Sequence, residues 1–281
     1  MSAQKLFLRF EGGKPKAFTM SFDDARLRDA DIIRALQQCK MKATFFLADG
    51  MFGKSQYLVA DKAGAKALYA NTGMEVAGHT VNHRDLPTVL EQEGEDGLKR
   101  EIVDNIKTLE QLFGCRVLGL SYSGAPPYKL YNDAVMDFAA KNGVCYARGV
   151  ANNENRFALP QNWLSWGPTA WVGNVDELHA LAKQFLTAEV SGKPMVYNIW
   201  GHAYDIDNKW ASFEAFEQFL KGLAFKADVW YASYGEIYCY AKAFEKLELD
   251  DNTVTNHSDI TLWFACGGKT YKINSGQQIN I

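Results

Sequence analysis

The chain has 281 residues, of which 47% are hydrophobic and 22% are charged. This balance suits a globular protein that buries a large core, and it excludes a disordered or low-complexity chain. The 30 basic and 33 acidic residues leave a net charge of −3. Because there is no positive excess to displace counterions from a phosphate backbone, we expect no nucleic-acid partner.

Short apolar runs with strand-like composition alternate with stretches of helical periodicity along most of the chain. In chain order, the sequence predicts a strand at 17–22, helix at 28–40, strand at 43–47, helix at 62–71, strand at 74–77, helix at 97–113, strand at 117–122, helix at 132–142, strand at 144–148, helix at 176–190, strand at 195–200, helix at 210–225, strand at 229–232 and helix at 235–247. Such repeated units indicate an α/β protein with parallel strands, and about seven or eight strands favour a closed barrel over an open doubly wound sheet.

The pattern changes after Leu249. Turn pairs such as Gly267-Gly268 and Ser275-Gly276 separate short apolar runs, which predicts a small β appendage. A piece of about thirty residues is too small for a core of its own. We therefore predict a (β/α) barrel over residues 1–249 and a C-terminal appendage over residues 250–281 that packs on it.

The sequence also bears on the compartment. No window approaches the ~18–20 apolar residues of a membrane span, so we expect no membrane partner. Arg9 and Glu11 interrupt the apolar residues near the N-terminus, so no export signal is predicted. The five cysteines are scattered without C-x-x-C spacing, which is typical of reduced thiols. We therefore expect a cytoplasmic protein.

Polar side chains follow three of the predicted strands. Asp23 and Asp24 close the first strand, His79 and His83 follow the third, and His202 follows a later one. In parallel α/β barrels, catalytic groups collect at the carboxyl ends of strands. Each residue also has a purely structural interpretation, since an aspartate can cap the next helix and a histidine can bind its own loop.

The spacing of His79 and His83 would place two imidazoles on one side of a helical turn, close enough to share an ion. The adjacent carboxylates of Asp23 and Asp24 would repel each other unless a cation or hydrogen bonds compensate. A divalent cation held by one carboxylate and two imidazoles would remove this repulsion. It would also leave positions open for water and substrate, as catalytic metal sites do.

Together these segments resemble the motifs of the NodB-like polysaccharide deacetylases, carbohydrate esterase family 4. The resemblance spans about residues 15–245 and rests on four segments in order: Ser21-Phe22-Asp23-Asp24, His79-Thr80-Val81-Asn82-His83, Pro126-Pro127-Tyr128 and Trp200-Gly201-His202. It implies a distorted (β/α) barrel of about seven strands. It further implies a hydrolase that removes N-acetyl, or O-acetyl, groups from a sugar or oligosaccharide substrate.

The resemblance also implies roles for individual residues. Asp24, His79 and His83 would hold one divalent metal ion; zinc is our prediction, although cobalt, nickel, manganese and iron suit the same donors. The backbone N–H of Tyr128 would form part of an oxyanion hole.

Asp23 would be the general base and His202 the general acid. The family usually has an arginine before Pro-Pro-Tyr that steadies the catalytic aspartate, whereas this chain has Ala125. Arg148, at the end of the next predicted strand, could supply the missing guanidinium, or it could serve only as a surface or capping residue. Asp176 could orient His202, although capping of the following helix is the simpler role.

Substrate contacts are expected from aromatic and motif residues. Trp200 lies two residues before His202 in a predicted strand, so both side chains should lie on one side of the sheet. Flat indole faces suit the apolar face of a sugar, and we add Trp166 and Pro127 as further candidate contacts.

Two other functions fit the same residues. One is hydrolysis of a different C–N bond, as in the allantoinase-like relatives of the family. The other is a glycan-binding or metal-binding barrel without turnover, which Ala125 would favour and the presence of both Asp23 and His202 would not.

Overall fold

The computed structural model describes residues 5–124, 130–151 and 156–281. The strands in these ranges are β1 (Phe7–Arg9), β2 (Lys16–Asp23), β3 (Ala43–Leu47), β4 (Glu75–Gly78), β5 (Gly119–Ser121), β6 (Tyr146–Arg148), β7 (Ala170–Trp171), β8 (Met195–Gly201), β9 (Val229–Tyr231), β10 (Leu247–Asp250), β11 (Thr253–Asn256), β12 (Leu262–Cys266), β13 (Lys269–Ile273) and β14 (Gln278–Asn280). The α-helices are α1 (Asp29–Gln38), α2 (Lys62–Tyr69), α3 (Leu86–Leu98), α4 (Asp104–Phe113), α5 (Asp133–Lys141), α6 (Val175–Thr187), α7 (Ala203–Lys209), α8 (Phe213–Leu223) and α9 (Tyr234–Phe244).

The central sheet is a curled path of parallel strands in the order β6-β5-β4-β3-β2-β8-β7, and β9 pairs with the first half of β2. Within the described ranges, a single parallel bridge between Arg148 and Trp166 links the β6 edge to the segment before β7. The sheet is therefore an incompletely closed barrel, and the expected distorted (β/α) barrel of about seven strands is confirmed.

Strand β2 lies at the centre of this sheet. All eight of its residues are buried, and it pairs with β8 along one edge and with β9 and then β3 along the other. A strand covered on both faces is rich in apolar residues, and Ala17, Phe18, Met20 and Phe22 supply them in β2. Asp23 ends the strand and Asp24 follows it, so both lie at the barrel rim.

The predicted elements match most of the observed ones, with one long helix as the main difference. The sequence predicts one helix at 97–113, whereas the observed helical region begins earlier, at Leu86. It consists of α3, a π-helical segment at Lys99–Val103, and α4. Asp85 caps α3 by accepting a hydrogen bond from the Thr88 backbone N–H at 2.9 Å. Gly94 interrupts α3 with a φ of +64°, so helical periodicity becomes continuous only after it.

Two small antiparallel sheets complete the molecule. One has the order β10-β11-β14, and the other, β1-β12-β13, combines an N-terminal strand with two C-terminal ones. Leu8, Leu262 and Phe264 share a buried cluster with Phe46 and Tyr234 of the barrel side. The C-terminal strands thus pack on the barrel, while the boundary at residue 250 stays a prediction. Of the helices in the described ranges, none is both long and apolar enough to span a lipid bilayer.

Candidate metal and catalytic site

Four strands bring polar side chains to one end of the barrel. Asp23 ends β2, His79 directly follows β4, Arg148 ends β6 and His202 directly follows β8. Because parallel strands end at the same rim, residues far apart in sequence meet here.

Asp24, His79 and His83 lie close enough together to share an ion. One ligand atom from each falls within 4.8 Å of the others. The Asp24 Oδ1 atom is 3.6 Å from His79 Nε2 and 3.5 Å from His83 Nε2. One carboxylate oxygen and two imidazole nitrogens suit a divalent transition metal such as zinc.

The orientation of His79 agrees with a ligand role. Its Nδ1–H donates to the carbonyl oxygen of Ser121 at 2.9 Å, which leaves a lone pair on Nε2. That Nε2 atom is buried and has no hydrogen-bond partner in the described parts of the chain. An unpartnered buried acceptor is costly in a folded protein, and a cation at this position would satisfy it.

The two histidines reach each other from an irregular loop, so the expected helical turn is wrong. Thr80 and His83 have φ values of +64° and +56°. The Thr80 Oγ1 atom accepts a hydrogen bond from the His83 backbone N–H at 3.0 Å and so closes the loop. Asp24 and Ala25 also have positive φ. Left-handed backbone at non-glycine residues is unfavourable, and it concentrates at functional sites.

The carboxylates and histidines affect each other's pKa values. Burial would raise the pKa of Asp24, but the nearby imidazoles of His79, His202 and His83 hold it well below its usual range. Burial would lower the pKa of His79, and Asp23 and Asp24 raise it instead. Burial and the nearby His79 lower the pKa of His83. The two carboxylates thus attract positive charge to this point, whether a proton or a cation.

Asp23 is only 3% exposed and contacts the guanidinium of Arg148 through its Oδ2 atom. Burial would raise the pKa of Asp23, but the charge of Arg148, with His79 and His202, keeps it below its ordinary value. Asp23 Oδ2 is also 3.9 Å from His79 Nε2. Asp23 is therefore an ionised carboxylate beside the three candidate ligands.

Arg148 is fully buried in the barrel. Its Nη2 also donates to Ser121 Oγ at 2.6 Å, its Nη1 donates to the Gly149 carbonyl at 3.1 Å, and its guanidinium lies 4.7 Å from the centre of the Trp200 ring. The structure thus places Arg148 against Asp23 and not on the surface. Whether it replaces the arginine that the family has before Pro-Pro-Tyr stays a prediction, because residues 125–129 lie outside the described ranges.

His202 is oriented by Asp205. Its Nδ1–H donates to Asp205 Oδ2 at 3.0 Å, and its backbone N–H donates to the same oxygen at 2.8 Å. Trp171 Nε1 donates to that oxygen as well, at 2.9 Å. His202 Nε2 then lies 4.0 Å from Asp24 Oδ2. Asp176, the residue considered from sequence, instead lies in the first turn of α6.

The candidate substrate contacts separate into three cases. Trp200 lies at the site, with its ring centre 5.8 Å from that of His202. Trp166 is 1% exposed and packs against Tyr234 with ring centres 4.4 Å apart, so we correct its assignment to a core residue. Pro127 and Tyr128 lie outside the described residues.

Sequence reasoning did not identify several residues of the site. Asp205 had a detectable signal, because an acidic residue three positions after the start of a helix often accepts hydrogen bonds from the capping residue. Ser121 and Asn105 had none, since they act through folded contacts. Asn105 Oδ1 accepts the His79 backbone N–H at 3.0 Å, although 26 residues separate them.

The fold and the site define a parallel α/β barrel with a candidate metal site at its carboxyl rim. Residues 11–147 match the family model described as polysaccharide deacetylase. This match covers just under half of the chain, and over these residues the chain is similar to polysaccharide deacetylases, which are hydrolases. No curated protein shows significant sequence similarity to it.

Three solved structures are similar to the chain. A protein from Mycobacterium smegmatis described as a polysaccharide deacetylase is 14% identical with a TM-score of 0.57, over 86% of this chain and 96% of the other. The family 4 carbohydrate esterase from Streptomyces lividans in complex with acetate is 20% identical with a TM-score of 0.46, over 75% and 92%. The Streptococcus pyogenes deacetylase PplD in complex with acetate is 22% identical with a TM-score of 0.40, over 47% of this chain and 55% of its own length.

Proposed function

We propose that this protein is a metal-dependent hydrolase that removes the acetyl group from the nitrogen of an amino sugar or a short oligosaccharide. The observation that carries the proposal is the convergence of Asp24, His79 and His83, with Asp23 and His202 each within about 4 Å of one of them. Binding alone would need neither a free base nor an acid beside the ion. Their presence therefore supports turnover.

Asp24, His79 and His83 would hold the cation, and we propose zinc. When bound, a divalent cation would polarise the acyl oxygen and make an attacking water more acidic. The hydrogen bond from His79 Nδ1 to Ser121 fixes the ring so that Nε2 faces the ion. The loop contact between Thr80 and His83 holds the second imidazole in place.

Asp23 would accept the proton of the attacking water. Its two oxygens differ, because Oδ2 is engaged by Arg148 whereas Oδ1 is buried without a hydrogen-bond partner among the described residues. The free oxygen is thus available as an acceptor, and the buried guanidinium keeps the carboxylate ionised and correctly oriented. Arg148 would be a positioning residue that acts through Asp23.

His202 would donate a proton to the departing amine. Its Nδ1–H is held by Asp205, which leaves Nε2 directed toward the reacting groups. The Asp205 carboxylate would fix the tautomer and the orientation of the His202 ring, in the manner of the aspartate of a catalytic triad. Water and the amide would then yield acetate and a free amine, with the proton taken by Asp23 balanced by the proton given by His202.

The test is acetate release from a panel of N-acetylated sugars by the zinc-loaded protein, with and without a chelator. We expect the chelator to abolish release and zinc to restore it.

Asp23→Asn should bind zinc as the wild type does, measured by calorimetry, while turnover falls by about a hundredfold or more. Arg148→Met should lower kcat more than it raises KM, because it leaves Asp23 buried without its partner.

The control is His257→Gln, a histidine on the appendage that pairs with the exposed Glu248. It should leave both zinc binding and turnover unchanged. Full zinc occupancy without acetate release from any sugar would contradict the deacetylase proposal. Ring opening of cyclic ureides to ureido acids by that same sample would favour a different C–N hydrolase, and no turnover of either kind would favour a binding protein. The cytoplasmic location and the absence of nucleic-acid and membrane partners stay predictions from the sequence.

A further inference from the structure

A guanidinium and an aromatic ring lie beside the site without a part in the chemistry above. Arg26 Nη2 donates to Asp24 Oδ2 at 3.0 Å, and its guanidinium lies 4.6 Å from the centre of the Tyr204 ring. Tyr204 in turn stacks on His202, with ring centres 4.6 Å apart and an angle of 17° between the planes. Arg26 and Tyr204 thus form a pair that touches both a candidate metal ligand and the candidate acid.

This pair is reachable from solvent. The Arg26 side chain is 23% exposed and Tyr204 is 36% exposed, whereas Arg148 is fully buried. The Arg26 backbone is also fixed, because its N–H donates to Asp29 Oδ2 at 3.1 Å and the residue forms an antiparallel bridge with Leu58. An incoming ligand would meet a guanidinium that is already positioned, so little entropy is lost on binding.

A bound dication would leave the site with more positive than negative charge. The site has three carboxylates, of which that of Asp23 pairs with Arg148, that of Asp24 with Arg26 and that of Asp205 with His202. Three negative and two positive side chains plus a dication give an excess of one positive charge. Arg148 is committed to Asp23, so the excess is presented to solvent at Arg26.

We propose that Arg26 and Tyr204 form a subsite for a carboxylate carried by the substrate, so that the substrate is an acidic N-acetylated sugar. Because Tyr204 stacks on the residue that protonates the amine, the carboxylate belongs to the sugar part of the substrate and not to the acyl part. Arg26 donates charge-assisted hydrogen bonds to it, and Tyr204 holds the guanidinium plane and offers a face to the ring. This inference rests on the proposed function.

The test compares matched substrates that differ in one charge. The acidic probes are N-acetylglucosamine oxidised to the carboxylate at C6 and N-acetylglucosamine with a lactyl carboxylate on O3; the neutral probes are the corresponding carboxamides. We expect wild-type kcat/KM to favour at least one acid over its amide by about tenfold or more, mainly through KM. Arg26→Gln should bring the ratio of kcat/KM on the acid to kcat/KM on the amide to about one, because its side chain offers no charge to the carboxylate.

The matched control is Arg34→Gln, an exposed arginine that pairs with Asp31 on α1. It should keep the acid preference. Zinc content is measured for every variant. If Arg26 served only to orient Asp24, Arg26→Gln would change the affinity for zinc, and it would lower the rates on the acid and on the amide by the same factor. That equal change would overturn the subsite.

The two proposals fail in different ways. Equal rates on acids and amides by the wild type would overturn the subsite and leave the hydrolase proposal intact. No turnover of any probe by the zinc-loaded protein would contradict the hydrolase proposal. Calorimetry with the deacetylated forms of the two acidic probes, which are amino sugars that carry a carboxylate, would then test the subsite. If Arg26→Gln weakens their binding about tenfold, the subsite is supported, and if the variant binds them as the wild type does, the subsite is overturned.

Discussion

Three residues at the site each have one polar side-chain atom engaged by a neighbour and another left without a hydrogen bond within the described part of the chain. His79 uses Nδ1 on Ser121, His202 uses Nδ1 on Asp205, and Asp23 uses Oδ2 on Arg148. The engaged atom fixes the rotamer and the tautomer, so the free atom is presented without an ordering cost at the moment of reaction. At the scale of the residue, these pairings would orient the groups that the proposed reaction needs.

Asp29, at the start of α1, is a buried carboxyl whose proton couples folding to pH. Burial raises the pKa of Asp29 to about 8, although Tyr69 donates a hydrogen bond to it. In the unfolded chain its pKa is about 4. Between about pH 4 and pH 8 the folded protein keeps a proton that the unfolded chain has released, so this carboxyl lowers the free energy of unfolding as the pH rises.

We therefore expect Asp29→Asn to stabilise the protein relative to wild type by an amount that grows from pH 5 to pH 8, because an amide cannot ionise. Urea denaturation at several pH values measures this difference. Asp31→Asn, on the same helix and paired with arginines on the surface, should show no such growth. A difference between Asp29→Asn and wild type that stayed constant across this range would mean that Asp29 does not titrate there.

At the scale of the element, helix ends decide where the chain turns toward the next strand. Helix α4 ends at Gly114, whose φ of +68° is the left-handed conformation that favours glycine. A Cβ there would meet nothing within 4 Å, and the same is true of Gly222 in the last turn of α8, which has no positive φ. The two glycines thus differ in backbone conformation and not in space.

This pair allows a matched test. Gly114→Ala should lower the free energy of unfolding by about 1 kcal/mol, because alanine is strained in the left-handed region. Gly222→Ala should raise it by up to about 1 kcal/mol, because alanine favours a helix. Denaturant titration of both variants measures the two signs. Equal effects would show that the cap conformation of Gly114 contributes nothing.

At the scale of the whole molecule, Arg9 joins the β1-β12-β13 sheet to the barrel. Arg9 lies in β1, is 4% exposed, and donates to the carbonyl oxygens of Val190, Ser191 and Gly192 at 3.4, 3.1 and 2.8 Å. Those carbonyls belong to the loop between α6 and β8, so one side chain connects the terminal sheet to the strand that leads to His202. Burial lowers the pKa of Arg9, but the guanidinium stays charged at physiological pH.

Arg9→Met keeps the apolar stem and removes the donors. We expect it to lower the free energy of unfolding by about 2 kcal/mol, because three partly buried hydrogen bonds to carbonyl groups would be lost. Turnover at a temperature well below unfolding should stay near wild type, since no atom of Arg9 touches the site. Arg116→Met, at an exposed arginine, is the control and should change stability little. A marked loss of turnover in a stable Arg9→Met protein would place this contact in the function.

The sequence alone determined the alternation of strands and helices, the barrel class and the family, because periodicity and short motifs depend on neighbouring residues. It also located Asp23, Asp24, His79, His83 and His202 at strand ends. For Arg148 it left two roles open, a partner of Asp23 or a surface or capping residue. Tertiary structure alone decided that Arg148 reaches Asp23 and that Trp166 lies in the core, since 125 residues separate the first pair and burial is a property of packing. It likewise decided which oxygen or nitrogen of each residue is free, and that Arg26 and Tyr204 meet beside His202. These depend on which strand ends the curled sheet brings together, and no local pattern along the chain encodes that arrangement.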